Sequence, residues 1–501
     1  MPSALDALKE RLAQIKGLQF ASSALAWEQE TYMPPGAAAS RAQTLGTLSR
    51  TAHELFTAAE TERLLSTAEA QAQDLDPDGD DARLLALTRR DYEKSVRLPA
   101  PFVAELRRAG SYAVGVWQEA RRANDFALLA PHLDTVIRMQ REKADYLGYT
   151  DHPYDALLDQ FEPEMKTAEV RAIFDDLREK TVPLVRAIAE RGDAVDDSVL
   201  HQPFEDEKQW VLMREVSELC GYDYHHGRID RVAHPFCSTL GSGDVRITVR
   251  TEPNFFNPGF FAAAHETGHA LYNQGLPAHL ERTPLFGGAS SAFHESQSRL
   301  WENLIGRSRE FWHGFFPRAQ AIFPEQLGSV DVETFYRAVN ASTPSMIRVE
   351  ADEVTYNLHI MLRFDLEVEM LEGDLDIAQL PARWNEKMEA YLGILPETDA
   401  EGVMQDMHWS SGLYGYFPTY SLGNLLSVQL YEAAKQDLPD LAQQTTRNDL
   451  QPILGWMREK VHRHGRKFLP QELAVRATGQ RLIAEPYVNY LHTKYGDIYG
   501  L

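Results

Sequence analysis

The residues with the clearest capacity for chemistry are His265, Glu266 and His269, in the sequence His-Glu-Thr-Gly-His. On a helix, positions four apart project from one face, so both imidazoles can point at the same metal ion. Two neutral imidazoles can share one zinc ion at about 2.0–2.1 Å. Glu266 then lies beside the metal and can take a proton from a zinc-bound water. This pattern predicts a metal-dependent hydrolase that cleaves peptide bonds.

A helix must hold this motif, and the surrounding residues predict where that helix begins and ends. Asn257 and Pro258 are typical of a helix start, since Asn caps helices and Pro fits the first helical position. Gly275 and Pro277 are typical of a helix end. The sequence therefore predicts a helix of about four to five turns with the motif in its interior.

A catalytic zinc ion needs a third protein ligand and an open position for water. Glu295 is the preferred candidate, in the segment His294-Glu295-Ser296-Gln297. Residues 298–302 predict a second helix, which can lie against the first. His294 is the alternative ligand. Two histidines and one glutamate are a known ligand set of zinc peptidases, and this favours Glu295.

The composition argues against some classes of binding partner and indicates a cellular compartment. The chain has 501 residues, 44% of them hydrophobic, and a formal net charge of −24. This charge argues against nucleic acid and against anionic membrane surfaces, because both require a basic face. Cys220 and Cys237 are the two cysteines, a number that suits a reducing compartment. Since the sequence shows no secretory signal and no apolar run of about 18 residues, we expect a cytoplasmic protein.

Helical patterns dominate the chain. Apolar residues at helical spacing predict helices over residues 84–96 and 102–124, and over most of the first 200 residues. The clearest β pattern is residues 244–251, where polar and apolar residues alternate. An edge of that strand beside the metal can pair with an extended peptide. We therefore expect one large helical body, mainly α, with one small β-sheet near the metal site.

Further polar clusters lie before and after the zinc motif. Taken singly, each cluster is more often structural than functional, and Asp244 and Arg246 can simply pair with each other. The clusters are His234-Pro235-Phe236; Asp244, Arg246 and Thr248 on one strand face; residues 347–352, Ile-Arg-Val-Glu-Ala-Asp; and residues 402–409, Gly-Val-Met-Gln-Asp-Met-His-Trp, followed by Tyr414, Tyr416 and Tyr420.

Together with the zinc motif, these clusters resemble the signatures of the carboxypeptidase Taq family of zinc metallocarboxypeptidases. Six motifs occur in the family's order, between residues 234 and 409: H-P-F, D-x-R-x-T, H-E-x-x-H, H-E-S-Q, I-R-x-x-A-D and G-x-x-Q-D-x-H-W. Trp27 and the segment Met33-Pro34-Pro35-Gly36 also look like the family's N-terminal region.

The resemblance implies a mainly α, neurolysin-like helical zincin with a deep cleft and one small β-sheet near the metal site. It implies one metallocarboxypeptidase domain over residues 1–501, with a helical part over residues 1–200 that covers the cleft and a catalytic part over residues 201–501. It also implies a homodimer that removes single residues from peptide C-termini with broad specificity. One Zn²⁺ per chain is the implied cofactor, and Co²⁺ can substitute for it.

The resemblance also implies catalytic roles for particular residues. His265, His269 and Glu295 become the metal ligands. Glu266 becomes the general base that activates a zinc-bound water. The oxyanion of the tetrahedral intermediate needs donors besides the metal, and His408 and Tyr416 are the candidates.

A carboxypeptidase must also bind the free carboxylate of its substrate. A guanidinium does this with two parallel hydrogen bonds, so Arg348 is predicted to bind it, with Arg246 as the alternative. The full set of predicted substrate-binding residues is Arg348, Arg246, Asp244, Thr248 and His234. Asp352 and Asp406, with Asp244, are predicted to orient neighbouring His and Arg groups.

The sequence also leaves two alternative functions open. A thimet-like oligoendopeptidase would share the metal site but lack an arginine for the terminal carboxylate. A non-catalytic helical scaffold would carry the H-E-x-x-H pattern by chance and hold no stoichiometric zinc. An aminopeptidase is less favoured, since the sequence has no G-x-M-E-N-type segment that would bind a free amine.

Overall fold

The computed structural model describes residues 3–501 and contains, within them, 21 α-helices and one three-stranded β-sheet. The predicted fold class, mainly α with one small sheet, is confirmed. The elements are α1 (Ala4–Thr31), α2 (Ala38–Thr57), α3 (Ala59–Ala70), α4 (Asp80–Arg97), α5 (Ala100–Ala123), α6 (Phe126–Leu147), α7 (Pro153–Leu158), α8 (Thr167–Ala189), α9 (Asp206–Cys220), β1 (Gly227–Arg231), β2 (Phe236–Gly241), β3 (Asp244–Val249), α10 (Phe256–Gln274), α11 (Ser291–Arg299), α12 (Arg309–Ile322), α13 (Pro324–Leu327), α14 (Val332–Val339), α15 (Tyr356–Glu372), α16 (Leu380–Leu392), α17 (Pro418–Asp437), α18 (Leu441–Thr446), α19 (Gln451–Lys460), α20 (Pro470–Thr478) and α21 (Glu485–Tyr499).

The chain forms two compact units that are each assembled from three separate segments. The first unit contains residues 3–96, 197–339 and 430–481, and it holds the sheet and the H-E-x-x-H helix α10. The second unit contains residues 97–196, 340–429 and 482–501. Its central helix α15 is buried along almost its whole length and packs against α6, α7, α8 and α16. No helix within residues 3–501 has both the length and the apolar character needed to cross a membrane.

The sheet has the strand order β1-β3-β2, with β1 parallel and β2 antiparallel to β3. The alternating segment predicted as a strand is β3, which ends at Val249. The prediction that this strand offers a free edge is wrong, because β3 is central and both of its edges are paired. The sequence of β1, Gly-Arg-Ile-Asp-Arg, is short and mostly charged, so it lacks the apolar alternation that marks a half-buried strand.

Helix α10 carries the H-E-x-x-H motif through the core of the first unit, between α9, α11 and strands β2 and β3. It ends before Gly275, as predicted. It begins at Phe256, however, so the expected cap at Asn257 is wrong. The buried ring of Phe256 lies among those of Phe260, Trp312 and Phe335, and this packing holds the first turn.

Helix α11 begins earlier than the sequence indicates. The hydroxyl of Ser290 accepts a hydrogen bond from the backbone N–H of Phe293 (3.1 Å) and caps the helix. Glu295 therefore lies inside α11 instead of before it. A π-helical turn, Leu300–Ile305, follows the helix directly.

Gly268 lies where α10 crosses α11. A Cβ atom at this position would lie 2.5 Å from the carbonyl oxygen of Gln297 and 2.6 Å from the Cα of Ser298. Both atoms belong to the backbone, which cannot turn away as a flexible side chain can. The glycine is thus required for the two helices to approach each other this closely.

We expect Gly268→Ala to destabilise the protein, by about 1–3 kcal/mol, because the added methyl group forces the two backbones apart. Gly455→Ala is the matched control, since Gly455 lies in α19 with no atom within 4 Å of its would-be Cβ. The control should leave stability unchanged or raise it by up to about 1 kcal/mol. Thermal unfolding of both variants gives the comparison, and equal midpoints would contradict the packing argument.

Candidate active site

The side chains of His265, His269 and Glu295 converge between α10 and α11. One ligand atom from each lies within 4.8 Å of the others. Oε2 of Glu295 is 3.8 Å from Nε2 of His265 and 3.5 Å from Nε2 of His269. Ligands bound tetrahedrally to zinc at about 2.0–2.1 Å are roughly 3.3 Å apart, so these separations suit one metal ion. In the described residues 3–501, this is the one such cluster of His, Cys, Asp and Glu side chains.

Hydrogen bonds fix the ring orientation of both histidines. Nδ1 of His265 lies 2.8 Å from Oε2 of Glu302, and a carboxylate can only accept, so this Nδ1 donates. Nδ1 of His269 lies 2.6 Å from Nδ1 of His294, whose Nε2 faces the Oδ1 of Asn273 at 3.2 Å. His294 donates from Nε2 to Asn273 and therefore accepts at Nδ1. Both Nε2 lone pairs are consequently left for a metal ion.

His294, the alternative ligand, lies behind His269 instead of beside the cluster's ligand atoms. Burial, together with the neighbouring His269, lowers the pKa of His294 well below its ordinary value. The ring is therefore neutral at physiological pH, as its role as an acceptor from His269 requires. This arrangement favours Glu295 over His294 as the third ligand.

The carboxylates beside the cluster are held in their charged form. Although burial opposes ionisation, Arg299 and the two histidines hold the pKa of Glu295 well below its usual range. Nε of Arg299 donates to Oε1 of Glu295 at 2.7 Å, and Nη1 donates to Oε2 of Glu302 at 3.1 Å. Burial also opposes ionisation of Glu302, but Arg299 and His265 lower its pKa to about 2. The donor set therefore matches the anionic and neutral ligands that a divalent metal needs.

Glu266 is the acidic residue of the motif, and its side chain is 6% exposed. Its Oε2 is buried and has no hydrogen-bond partner. Burial raises the pKa of Glu266, while His265 and His269 act in the opposite direction. A buried carboxylate oxygen without a partner is costly unless another group satisfies it, so this atom is a point where a water molecule or a substrate can bind.

The predicted binding residues on the sheet already have partners. Arg246 donates from Nε and Nη2 to Asp244 at 2.8 and 2.7 Å, and its guanidinium lies 4.2 Å from the ring of Trp27. Thr248 is fully buried, and its hydroxyl bonds the N–H (2.9 Å) and carbonyl (3.1 Å) of Phe236. These contacts do not support a direct bond from Thr248 to a substrate. His234 is exposed in the turn between β1 and β2.

In the second unit, Arg348 lies buried in an ion-pair cluster. Its Nε and Nη2 donate to Asp406 at 3.1 and 2.7 Å, and its Nη1 donates to the hydroxyl of Tyr356 at 3.1 Å. Arg363 is fully buried and also donates to Asp406, from Nε at 2.8 Å. Burial opposes ionisation of Asp406, yet the two arginines hold its pKa well below the usual range.

His408 and Tyr416 lie together in the second unit, with ring centroids 6.2 Å apart and planes 20° from parallel. Burial lowers the pKa of His408 to about 4, so its imidazole is neutral at physiological pH. The ring of Tyr416 also contacts Phe161, with centroids 5.1 Å apart. Both side chains therefore present neutral polar groups, of the kind that can donate to an oxyanion.

Three residues in these clusters, Arg299, Glu302 and Arg363, and a further buried carboxylate on α15, Glu367, were not predicted from the sequence. Their spacing along the helices could have indicated each of them. Arg299 and Glu302 follow Glu295 by four and seven positions, which places them on one helix face. Arg363 and Glu367 are four positions apart on α15 in the same way.

Comparison with known proteins gives the family. The sequence matches the carboxypeptidase Taq (M32) metallopeptidase family over residues 7–495. It is 43% identical to thermostable carboxypeptidase 1 of Thermus thermophilus over 484 residues, which cover 95% of each chain. Carboxypeptidase 1 of Bacillus subtilis is 37% identical over 496 residues, which cover 98% of this chain and 99% of that relative.

A solved structure indicates the same family. The M32 carboxypeptidase from Deinococcus radiodurans R1 is 40% identical and superposes with a TM-score of 0.97, covering 99% of this chain and 100% of the other. The resemblance drawn from the six ordered motifs is thus confirmed. The chain belongs to the carboxypeptidase Taq (M32) metallopeptidase family, and it is a peptide hydrolase of the carboxypeptidase class that depends on a divalent metal ion.

Proposed function

We propose that this protein removes single residues from peptide C-termini with broad specificity, using one zinc ion bound by His265, His269 and Glu295. The observation that carries the proposal is the convergence of these three ligand atoms, with both Nε2 lone pairs left available. When bound, zinc supplies Lewis acidity, which lowers the pKa of water and polarises a carbonyl group. Cobalt accepts the same donors, so it can replace zinc.

Glu266 is the proposed general base. It accepts a proton from the attacking water at its carboxylate and then delivers that proton to the leaving amine. The raised pKa of Glu266, which burial causes, makes the carboxylate a stronger base. His408 and Tyr416 are the proposed donors to the oxyanion, and the neutral state of His408 suits donation from a ring N–H.

Arg348 is the proposed binding group for the substrate's terminal carboxylate. Its contacts to Asp406 and Tyr356 use three of the five N–H groups that a guanidinium carries. Asp406 holds one edge of the guanidinium still, and this reduces the entropy lost on binding a planar carboxylate. Asp244 and His234, with Arg246 as the alternative arginine, remain predicted contacts for the rest of the peptide, whereas the buried hydroxyl of Thr248 is used by the backbone of Phe236.

The cellular compartment is proposed from the cysteines, and the oligomeric state and domain organisation are proposed from the family. Cys220 and Cys237 are both unpaired, and this supports a reducing compartment such as the cytoplasm. The family resemblance supports a homodimer and a single metallocarboxypeptidase domain over residues 1–501, with its helical part over residues 1–200 and its catalytic part over residues 201–501.

The reaction and its direction can be tested with a mixture of peptides and mass spectrometry. We expect stepwise shortening from the C-terminus, which a chelator abolishes. His269→Ala should lose both the activity and the bound metal, because one of three ligands is missing. His279→Ala is the control, since that histidine is exposed and paired with Asp80. Cleavage within the peptides, or shortening that survives chelation, would contradict the proposal.

Glu266→Gln separates the general base from the metal ligands. The amide keeps the size of the side chain but cannot take a proton, so kcat should fall by about 10²–10⁴-fold. The variant should keep one metal ion per chain and at least the wild-type stability, because a buried negative charge with an oxygen that lacks a hydrogen-bond partner is replaced by a neutral amide. Metal analysis, thermal unfolding and peptide hydrolysis measure the three quantities. Unchanged kcat would eliminate Glu266 as the base.

Arg348→Ala tests recognition of the terminal carboxylate. We expect kcat/KM for a free-acid peptide to fall by about 100-fold, or roughly 3 kcal/mol, because charge-assisted hydrogen bonds are lost. Cleavage of the same peptide with an amidated C-terminus should be equally slow in variant and wild type. The fold should survive, since Arg363 still neutralises Asp406.

Arg246→Ala is the matched variant for the alternative arginine. It should retain the preference for free-acid over amidated peptide. A variant pair in which Arg246→Ala loses this preference and Arg348→Ala keeps it would reverse the assignment.

A further inference from the structure

Glu367 is a fully buried carboxylate on α15 that the proposed reaction does not use. Its Oε2 accepts hydrogen bonds from the hydroxyl of Tyr154 (2.6 Å) and from the backbone N–H of Gly415 (3.1 Å). Its Oε1 accepts a hydrogen bond from Nε1 of Trp409 (2.8 Å). Three donors from two separate segments of the chain therefore meet at one carboxylate.

Two of these donors enclose the segment between the proposed oxyanion donors. Trp409 directly follows His408, and Gly415 directly precedes Tyr416. Since one carboxylate binds both the indole N–H of Trp409 and the backbone N–H of Gly415, it holds the Trp409 side chain and the Gly415 backbone at a fixed separation. His408 and Tyr416, whose rings are nearly parallel, come directly before and directly after these two attached residues.

The Gly415 end of the segment has a second restraint. Gly415 has a φ of 81°, a conformation that favours glycine, and a Cβ there would lie 2.6 Å from the backbone of Leu157 and Leu158. Those two residues belong to α7, as does Tyr154. The segment is thus packed directly against the helix that supplies the third donor to Glu367.

The surroundings of Glu367 oppose its ionisation, so its role lies in the hydrogen bonds that its two oxygens accept. The groups that face Glu367 are Tyr154, Tyr414 and Arg363, and the guanidinium of Arg363 is directed to Asp406. Burial raises the pKa of Glu367 to about 7, against the effect of its three hydrogen bonds. The two oxygens of this group can accept from both N–H donors at once.

We propose that Glu367 is a positioning residue, which sets the relative placement of His408 and Tyr416 by anchoring Trp409 and Gly415 to one carboxylate. This inference rests on the proposed roles of His408 and Tyr416 in the reaction. Glu367 itself touches neither the substrate nor the reacting atoms. Its effect reaches the reaction only through the anchored side chain of Trp409 and the anchored backbone of Gly415.

The test is Glu367→Gln in the full-length, metal-loaded enzyme. A glutamine has one acceptor oxygen, so it can accept from Trp409 or from Gly415 but not from both. We expect kcat to fall by about 10- to 100-fold, because small misplacements of catalytic groups are costly. The KM for a free-acid peptide should stay within about twofold and metal content at one ion per chain, since neither Arg348 nor the metal cluster is changed.

Two further variants separate positioning from stability. Trp409→Phe removes one anchoring N–H but keeps an aromatic ring. It should lower kcat as Glu367→Gln does. If Glu367→Gln does not fold, Trp409→Phe replaces it in the comparison with Tyr154→Phe. Tyr154→Phe removes the third donor but leaves both anchors. It should lose about as much thermal stability as Glu367→Gln, but its kcat should stay within about twofold of wild type. A kcat loss in Tyr154→Phe equal to that in Glu367→Gln would overturn the proposal.

A double-mutant cycle distinguishes this inference from the proposed function. If Glu367 acts through Tyr416, then Glu367→Gln should lower kcat far less in a Tyr416→Phe background than in wild type. Fully additive losses would overturn the positioning role alone. If His408→Gln and Tyr416→Phe each leave kcat unchanged, the proposed oxyanion donors are wrong and the inference falls with them. If both lower kcat but Glu367→Gln does not, only the inference fails.

Discussion

The metal cluster depends on the close crossing of α10 and α11 at Gly268. Because this position lacks a Cβ, the backbone of Gln297 and Ser298 can lie directly against α10. This approach brings Glu295 to within 3.8 Å of both Nε2 atoms on the neighbouring helix. The same crossing places Glu302 and His294 where they orient the two imidazoles. A single missing methyl group thus underlies both the ligand spacing and the ring orientation.

Charge pairing explains how so many ionisable groups can be buried in each unit. In the first unit, Arg299 bonds both Glu295 and Glu302, so two adjacent carboxylates share one guanidinium. In the second unit, Asp406 is shared by Arg348 and Arg363. A buried charge without a partner costs several kcal/mol, and these shared partners avoid that cost. The unpartnered Oε2 of Glu266 is an exception, and it belongs to the residue that the proposed reaction requires to accept a proton.

The sequence was sufficient for features that depend on periodicity and on chemical type. The strand β3 and the helices α4 and α5 follow from the spacing of apolar residues, and the end of the H-E-x-x-H helix follows from Gly275 and Pro277. The sequence was insufficient where tertiary packing determines the structure. Helix α10 begins at Phe256 because a ring is buried there, and β1 pairs with β3 despite its charged sequence. Thr248 has a residue type that suits substrate binding, but only the fold shows that Phe236 uses its hydroxyl. Long-range partners such as Asp406 and Arg363 are not visible in local spacing.

The balance of charges bears on which arginine can bind a substrate carboxylate. The ion-pair partner of Arg246 is Asp244, so the pair is neutral, and a substrate carboxylate would have to compete with Asp244 for the guanidinium. In the Arg348 cluster, two guanidinium groups share the carboxylate of Asp406, and the pKa of the other carboxyl group near Arg363, that of Glu367, is raised by burial to about 7, so the cluster keeps an excess of positive charge. Since the cluster is buried, this excess charge is poorly screened and attracts one further anion strongly. A terminal carboxylate would complete the charge balance of the Arg348 cluster, whereas it would disturb that of the Arg246 pair. This difference supports Arg348 for reasons independent of the sequence motifs.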